Sequence, residues 1–359
     1  MPTRTRKLRR NGSSRRANRV STPQSIKKHL DNIVIGQDET KRTLAVAVTN
    51  HYSRTRGETR HIGDPEFDGV TIEKSNVLLI GPTGTGKTHF ARALAQKLNV
   101  PFSVGDATSL TEAGYVGQDV ENLLVDLIEA ADHDIEEAEN GIVYLDEFDK
   151  LRKTPENIST TRDVGGQGVQ QAILKMLEGS KCRVPLGGGR LHPDQQTLSI
   201  DTTNILFICG GAFVGLDDVI AERLPRCSRA KLREHVLPHD LVRYGMIPEL
   251  VGRIPIIAAL AELTLADMQA ILTEPQNALL NQFRLQCQLQ GFQVEFTKCA
   301  IKAFATAAMK LEIGARGLRS VVETVMTNLQ FEAKRGCKYV VNKDVVSGKK
   351  TAVAKRIIL

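Results

Sequence analysis

The sequence predicts an α/β protein: a parallel sheet with helices on both faces, followed by a smaller, mostly helical domain. Three observations carry this. Between residues 77 and 211 short apolar runs alternate with helical stretches, the pattern of strand–helix–strand units. One run, Val77–Ile80, opens directly into Gly81-Pro82-Thr83-Gly84-Thr85-Gly86-Lys87-Thr88, a phosphate-binding loop in its strand-then-helix setting. After Pro255 the strand-like runs nearly cease and helical periods take over.

Taken in order, residues 1–22 read as a basic tail. The first 20 residues hold Arg4, Arg6, Lys7, Arg9, Arg10, Arg15, Arg16 and Arg19 and no acid; without them the formal charge of +7 becomes −1. So polar a stretch is expected to be disordered. Three readings stand for it: a solvated arm, a weak anion or nucleic-acid contact, and an organelle transit peptide. The last is disfavoured because Met1, Leu8, Ala17 and Val20 form no apolar helical face.

The large α/β domain is expected over 23–256. Ser21-Thr22-Pro23 reads as a helix start, Ile33-Val34-Ile35-Gly36-Gln37 as an apolar turn, and 38–53 as a helix. Residues 54–75, polar with Gly and Pro, read as a surface loop. Strands are expected at Val77–Ile80, Phe102–Asp106, 142–145 and 205–209, with a helix over 89–98. The segments 151–168 and 184–194 read as loops, and 221–238, basic and irregular, supports no assignment. The small domain, 257–345, is expected to hold a helix opening at Thr264 and continuing over 274–288, then Lys298–Met309 and 317–336, with a short strand at Gln293–Phe296. Residues 346–359 are expected as a C-terminal tail.

Composition narrows the class. With 359 residues, 41% hydrophobic and 25% charged, the chain suits a globular protein of two domains. It has no run near the roughly 18 apolar residues of a membrane span, so no membrane partner is expected. Its six cysteines are scattered without a Cys-x-x-Cys pair, which predicts neither a zinc site nor a disulfide framework. Reduced thiols and a cytoplasmic location are the corresponding expectations.

The phosphate loop fixes the first chemical reading. Its glycines let successive backbone N–H groups curl around phosphate oxygens, where a Cβ would obstruct. Lys87 supplies a cation to the β- and γ-phosphates, the Thr88 hydroxyl suits Mg²⁺, and the following helix adds the positive end of its dipole. A nucleoside triphosphate is therefore expected. Ile142-Val143-Tyr144-Leu145 then ends in Asp146-Glu147, two carboxylates at the C-terminal edge of an apolar strand. Asp146 is placed to hold Mg²⁺, and Glu147 to polarise the attacking water as general base. Hydrolysis follows as the expected reaction.

Weaker motifs gain meaning together. Gly114-Tyr115-Val116-Gly117 sets an aromatic between glycines, and Ile247-Pro248-Glu249-Leu250-Val251-Gly252-Arg253 and Gly314-Ala315-Arg316-Gly317-Leu318-Arg319 each place arginine beside glycine. With Val34-Ile35-Gly36-Gln37, Asn50-His51-Tyr52, Leu145-Asp146-Glu147-Phe148-Asp149-Lys150, Gly168-Val169-Gln170-Gln171 and Phe207-Ile208-Cys209-Gly210-Gly211-Ala212-Phe213, the chain from about 21 to 336 resembles the ClpX family of AAA+ unfoldases. The related unfoldase HslU shares the Gly-Tyr-Val-Gly loop but has a large domain inserted before the acidic strand; here only 118–141 intervene, a poorer match.

The resemblance implies an AAA+ P-loop NTPase fold, ATP and Mg²⁺ as ligands, and a homo-hexamer that unfolds proteins, some carrying tags, by drawing them through a central pore. Val34 and Ile35 would contact adenine. Tyr115 and Val116 would form the gripping pore loop, 161–168 would belong to a second one, and Arg190 and His192 to the entrance loop. Arg253 would be the finger supplied to a neighbour's ATP, and Arg316 the sensor that couples the small domain to the γ-phosphate. Three departures matter. The family's four-cysteine zinc domain has no counterpart in the basic tail. Leu191 stands where the entrance loop usually has lysine. The Ile/Leu-Gly-Phe tripeptide that docks the ClpP peptidase is absent from 214–245, where 226–233 is basic. Engagement of ClpP in the ordinary way is therefore not expected. Two other readings compete, a nucleic-acid-associated AAA+ motor or loader using the tail, and a slowly hydrolysing nucleotide-gated scaffold.

Overall fold

The computed structural model describes residues 21–57, 65–67, 70–111, 118–152, 167–185 and 197–356. Strands β1 (Val77–Ile80), β2 (Phe102–Asp106), β3 (Ile142–Asp146), β4 (Leu206–Gly211) and β5 (Ile256–Ala259) form one sheet in the order β2-β3-β4-β1-β5, every pairing parallel. A strand alternates its side chains across the sheet. Leu78, Ile80, Val143, Leu145, Phe207 and Cys209 enter one core, while Val77, Leu79, Ile142, Tyr144, Leu206 and Ile208 enter the other. Both faces are covered, which is why these strands read as continuous apolar runs and not as alternating ones.

The first helices brace the second core. In α1 (Pro23–Asp31) the Thr22 hydroxyl accepts from Ser25 N at 3.2 Å, and Pro23 occupies the first turn, where its missing N–H costs nothing. Helix α2 (Asp38–Gly57) runs past the expected end at 53. Its last turns are fastened from outside: His51 Nε2 bonds Asn204 O at 2.9 Å, and Arg54 donates to Thr203 O at 2.8 Å. Helix α3 (Lys87–Leu98) starts two residues before expectation, because Gly86, at φ 99°, already serves as its cap.

Other elements depart from expectation where tertiary pairing decides. Strand β5 crosses the boundary expected at 256: it takes the open edge of β1, with Val77 opposite Ile256 and Leu260 N donating to Ile80 O at 2.7 Å. An unpaired edge recruits such a segment whatever its own pattern. Helix α4 (Gln167–Glu178) starts inside the first stretch read as a loop, and Lys181–Pro185, in a hairpin with Thr197–Asp201, ends inside the second. The basic region 221–238 is folded onto the body. Arg233 meets Asp217 and Arg223 meets Asp240, each at 2.7 Å, while Leu232 is buried.

In the small domain α5 (Leu265–Thr273) opens on a capping box between Thr264 and Asp267. The helix expected through 274–288 is broken, since Pro275 has no N–H to bond Ile271 O and its ring crowds that carbonyl; α6 (Leu279–Leu289) begins afresh. Helices α7 (Lys298–Met309) and α8 (Arg316–Glu332) follow. A second sheet joins β6 (Gln293–Phe296), β7 (Cys337–Val341) and β8 (Val353–Arg356), so part of the expected C-terminal tail is a strand. Its Val-Ala-Lys-Arg sequence reads as solvated; pairing with β7 makes it an edge. Among the described residues no helix is long and apolar enough to cross a membrane.

Candidate functional site

The C-terminal ends of β1, β3 and β4 share one rim of the large sheet, and the small domain closes over it. The cleft between them, about 630 Å³, is lined by Ile33, Val34, Ile35, residues 83–89, Asp146, Glu147, Asp149, Gly211, Ala212, Pro275, Ala315, Arg316 and Arg319. A larger groove, about 790 Å³, runs along β5, but of the phosphate loop only Pro82 borders it. The cleft is where the motifs converge.

Loop geometry explains the glycines. Gly84 and Gly86 hold φ at 79° and 99°, the left-handed region that a Cβ disfavours. Gly84 also has no room: a Cβ there would meet Ile313 O at 2.3 Å. Gly81 lies against Leu260, and its N–H donates to Gly211 O at 3.1 Å, joining the loop to the end of β4. The Thr85 hydroxyl closes the turn on Pro82 O at 2.8 Å. Lys87 is buried, its Nζ donating to Gly81 O at 2.7 Å and Pro82 O at 3.0 Å. Burial lowers its pKa below the ordinary lysine value, while Asp146 and Asp149 act in the opposite direction. The ammonium thus sits inside the curl of the loop, where phosphate oxygens would replace the carbonyls as its partners.

The carboxylates stand opposite. Asp146 Oδ2 accepts from the Thr88 hydroxyl at 3.1 Å; its Oδ1 accepts from Tyr144 OH at 3.1 Å and from Glu147 N at 3.0 Å. Glu147 sits at φ 52°, ψ 33°, a left-handed pose uncommon for a residue with a Cβ, and it turns the side chain out of the strand into the cleft. The Thr88–Asp146 pair fits a Mg²⁺ site of the kind completed by a nucleotide's own phosphates and water. Among the described residues no group of three or more His, Cys, Asp or Glu side chains is placed to hold a metal unaided.

Arg316 reaches the cleft from the first turn of α8, held there by Ala315 N donating to Gly84 O at 3.0 Å. Val34 and Ile35 line the far side. Their turn is tied to the interdomain link by Gln37, whose side chain donates to Ala261 O at 2.8 Å and accepts from Ala261 N at 2.9 Å.

Arg253 is elsewhere. Its carbonyl accepts from Asn76 Nδ2 at 2.8 Å, at the residue before β1 begins, whereas the phosphate loop leaves the other end of that strand. At about 3.3 Å per residue the two sites stand roughly 15 Å apart along the sheet. Tyr115, Val116, Arg190 and His192 lie outside the described residues. Their flanks are described: Leu110–Thr111 pairs with Gln118–Asp119, and the hairpin strands border 186–196.

Four residues of the site stood within motifs read from the sequence but were given no role there. Tyr144 holds Asp146, and Gly210 makes space for it, since a Cβ at 210 would lie 2.1 Å from the Tyr144 hydroxyl oxygen. Asp149 is 2% exposed; Oδ1 accepts from Ala212 N at 3.1 Å, and Oδ2 has no hydrogen-bond partner among the described residues. Arg319 lines the cleft one turn after Arg316. Spacing held a signal for Arg319, since positions three apart on a helix share a face and Arg316 precedes it by three.

A family model for the AAA domain of the Cdc48 subfamily matches residues 72–257, and one for the C-terminal D2-small domain of ClpB matches 263–333. Among curated proteins, the ATP-dependent Clp protease ATP-binding subunit ClpX of Treponema denticola is 52% identical over 332 residues, 89% of this chain and 79% of that protein. The subunit of the same name from Borrelia duttonii is 46% identical over 343 residues, 91% of this chain and 79% of its own. That of Porphyromonas gingivalis is 46% identical over 329 residues, 88% and 79% respectively.

Proposed function

Because the chain belongs to the ClpX family of AAA+ ATPases, we propose that it assembles as a homo-hexamer and uses ATP hydrolysis to draw polypeptide through a central pore. The observation that carries this is the division of one site between two ends of the subunit. Phosphate loop, Asp146, Glu147 and Arg316 gather in the cleft, while Arg253 lies at the opposite end of β1. A charge-stabilising arginine so placed has no use for its own nucleotide; it suits a neighbour's, across a ring interface.

In this reading Val34 and Ile35 contact the adenine, and residues 81–88 cradle the phosphates. Lys87 turns from its own loop carbonyls to the β- and γ-oxygens. Thr88 and Asp146 would hold Mg²⁺, whose charge would be supplied beside the phosphates. Glu147 takes a proton from the attacking water, and Arg316 answers the γ-phosphate by moving α8 and the small domain with it. Arg253 of a neighbouring subunit stabilises the transition state, a contribution of about 10³–10⁵ in rate for such fingers. Tyr115 and Val116 grip substrate, with Arg190 and His192 at the pore entrance.

Residues 214–245, where this family docks a peptidase, hold no Ile/Leu-Gly-Phe tripeptide, which favours action without ClpP. A second reading, a nucleic-acid motor or loader, rests on the eight basic residues of the first 20.

One assay separates the two: steady-state ATPase rate alone, with an unfolded polypeptide, and with DNA, for wild type and Tyr115→Ala. Stimulation by polypeptide that Tyr115→Ala weakens is expected. Stimulation by DNA alone, indifferent to Tyr115→Ala and lost on deleting residues 1–20, would transfer the function to the tail.

A further inference from the structure

Two side chains fix Arg253: Asn76 ties it to Leu177, and Glu178 binds it directly, these being the last two residues of α4. Asn76 is fully buried, and its amide nitrogen donates to Arg253 O at 2.8 Å and to Leu177 O at 3.2 Å. Glu178, the next residue and the last of α4, accepts from Arg253 Nε at 3.1 Å. That end of α4 is itself anchored. A helix leaves its last carbonyls unpaired; here Met176 O accepts from Thr202 Oγ1 at 3.0 Å and from Lys74 Nζ at 3.3 Å. The backbone of Arg253 is thus held through Asn76, and its side chain through a carboxylate on a fastened helix end.

The atom engaged is the informative one. Glu178 takes Nε, and among the described residues the two terminal nitrogens of Arg253 make no hydrogen bond. Those terminal groups form the fork that grips phosphate oxygens. A carboxylate on Nε therefore sets the direction of the guanidinium and leaves its working end open. Arg253 and Glu178 are 49% and 42% exposed, and a pair so exposed adds little to stability. Its effect is on orientation.

We propose that Glu178 is a positioning residue for Arg253, holding the guanidinium toward the nucleotide of the adjacent subunit. This rests on the reading of Arg253 as a trans-acting finger, and the test keeps the two apart. Rings are formed from wild type mixed equally with subunits carrying Glu147→Gln, which are expected to bind ATP without turning it over. The added subunits carry Glu147→Gln alone, or with Glu178→Ala, Glu178→Gln or Arg253→Ala. Turnover then comes from wild-type sites, some of which face a variant neighbour.

Glu178→Ala in the added subunit is expected to lower kcat of the mixed ring by about a third relative to Glu147→Gln alone, within the roughly twofold limit set by half of the wild-type sites facing a variant neighbour, with KM for ATP unchanged, because misorienting a reacting group costs rate. Glu178→Gln, whose amide oxygen still accepts from Nε–H, is expected to recover most of it. If Arg253→Ala depresses the neighbours and Glu178→Ala does not, the positioning role is overturned while the finger reading stands. If neither does, the finger reading fails and takes this proposal with it. Sedimentation follows ring assembly throughout; a Glu178→Ala subunit excluded from rings would overturn positioning in favour of assembly.

Discussion

Single residues in the large domain show how burial sets chemistry. Asp146 is oriented by Thr88, Tyr144 and the Glu147 amide, so its carboxylate is positioned before any cation arrives. The Tyr144 hydroxyl has its pKa pushed above the usual tyrosine range, by burial first and then by the Asp146 charge, which keeps it a donor. His51 makes the converse case. Its Nε2 faces Asn204 O, which only accepts, so the proton is on Nε2; Nδ1 is buried and, among the described residues, without a hydrogen-bond partner. Burial pulls its pKa from 6.5 down to about 3. On acidification the unfolded chain takes up this proton first, so stability falls as pH drops from about 6.5 toward 3. At pH 5 the loss is about 2 kcal/mol. His51→Gln keeps a donor for Asn204 O and should flatten the pH 7-to-5 decline in unfolding free energy, read from urea titrations, by that amount; an equally steep decline would show the histidine is not responsible.

Among elements, the phosphate loop and the start of α8 form one unit. Gly84 approaches Ile313 O and Gly314 so closely that only glycine fits, and its carbonyl accepts the Ala315 N–H. Gly84→Ala would impose about 1–2 kcal/mol of left-handed backbone strain and a clash with backbone atoms that cannot rotate aside. A lowered Tm and at least a tenfold weaker affinity for a fluorescent ATP analogue are the expected outcomes, read by thermal melt and titration. Retained affinity would mean the loop does not need the small domain beside it. The motif Gly-Pro-Thr-Gly-Thr-Gly-Lys-Thr was legible because local chemistry dictates each position. That Gly84 answers to residue 313 as well was not, since nothing local marks a contact across 229 positions.

At the scale of the whole molecule, the cleft proposed for ATP is lined from both parts of the chain, with Arg316 supplied by the smaller one. A ligand held by both couples their stabilities, adding about 2.7 kcal/mol at a hundred times its Kd. Arg316→Ala should leave the Tm of the free protein nearly unchanged and reduce the rise on adding a non-hydrolysable ATP analogue; an undiminished rise would separate Arg316 from the nucleotide. The sequence alone determined the parallel sheet, the phosphate loop, the Asp146-Glu147 edge and the helical character after 255, because apolar period, glycine placement and strand-end acids are fixed by local backbone chemistry. Tertiary structure decided the rest. Strand β5 and strand β8 exist because β1 and β7 offered open edges, and the region 221–238 is ordered by acids brought to its arginines. Arg253 stands a strand's length from the cleft because Asn76 and Glu178 meet it there, and such distances belong to the fold and not to the chain's local pattern.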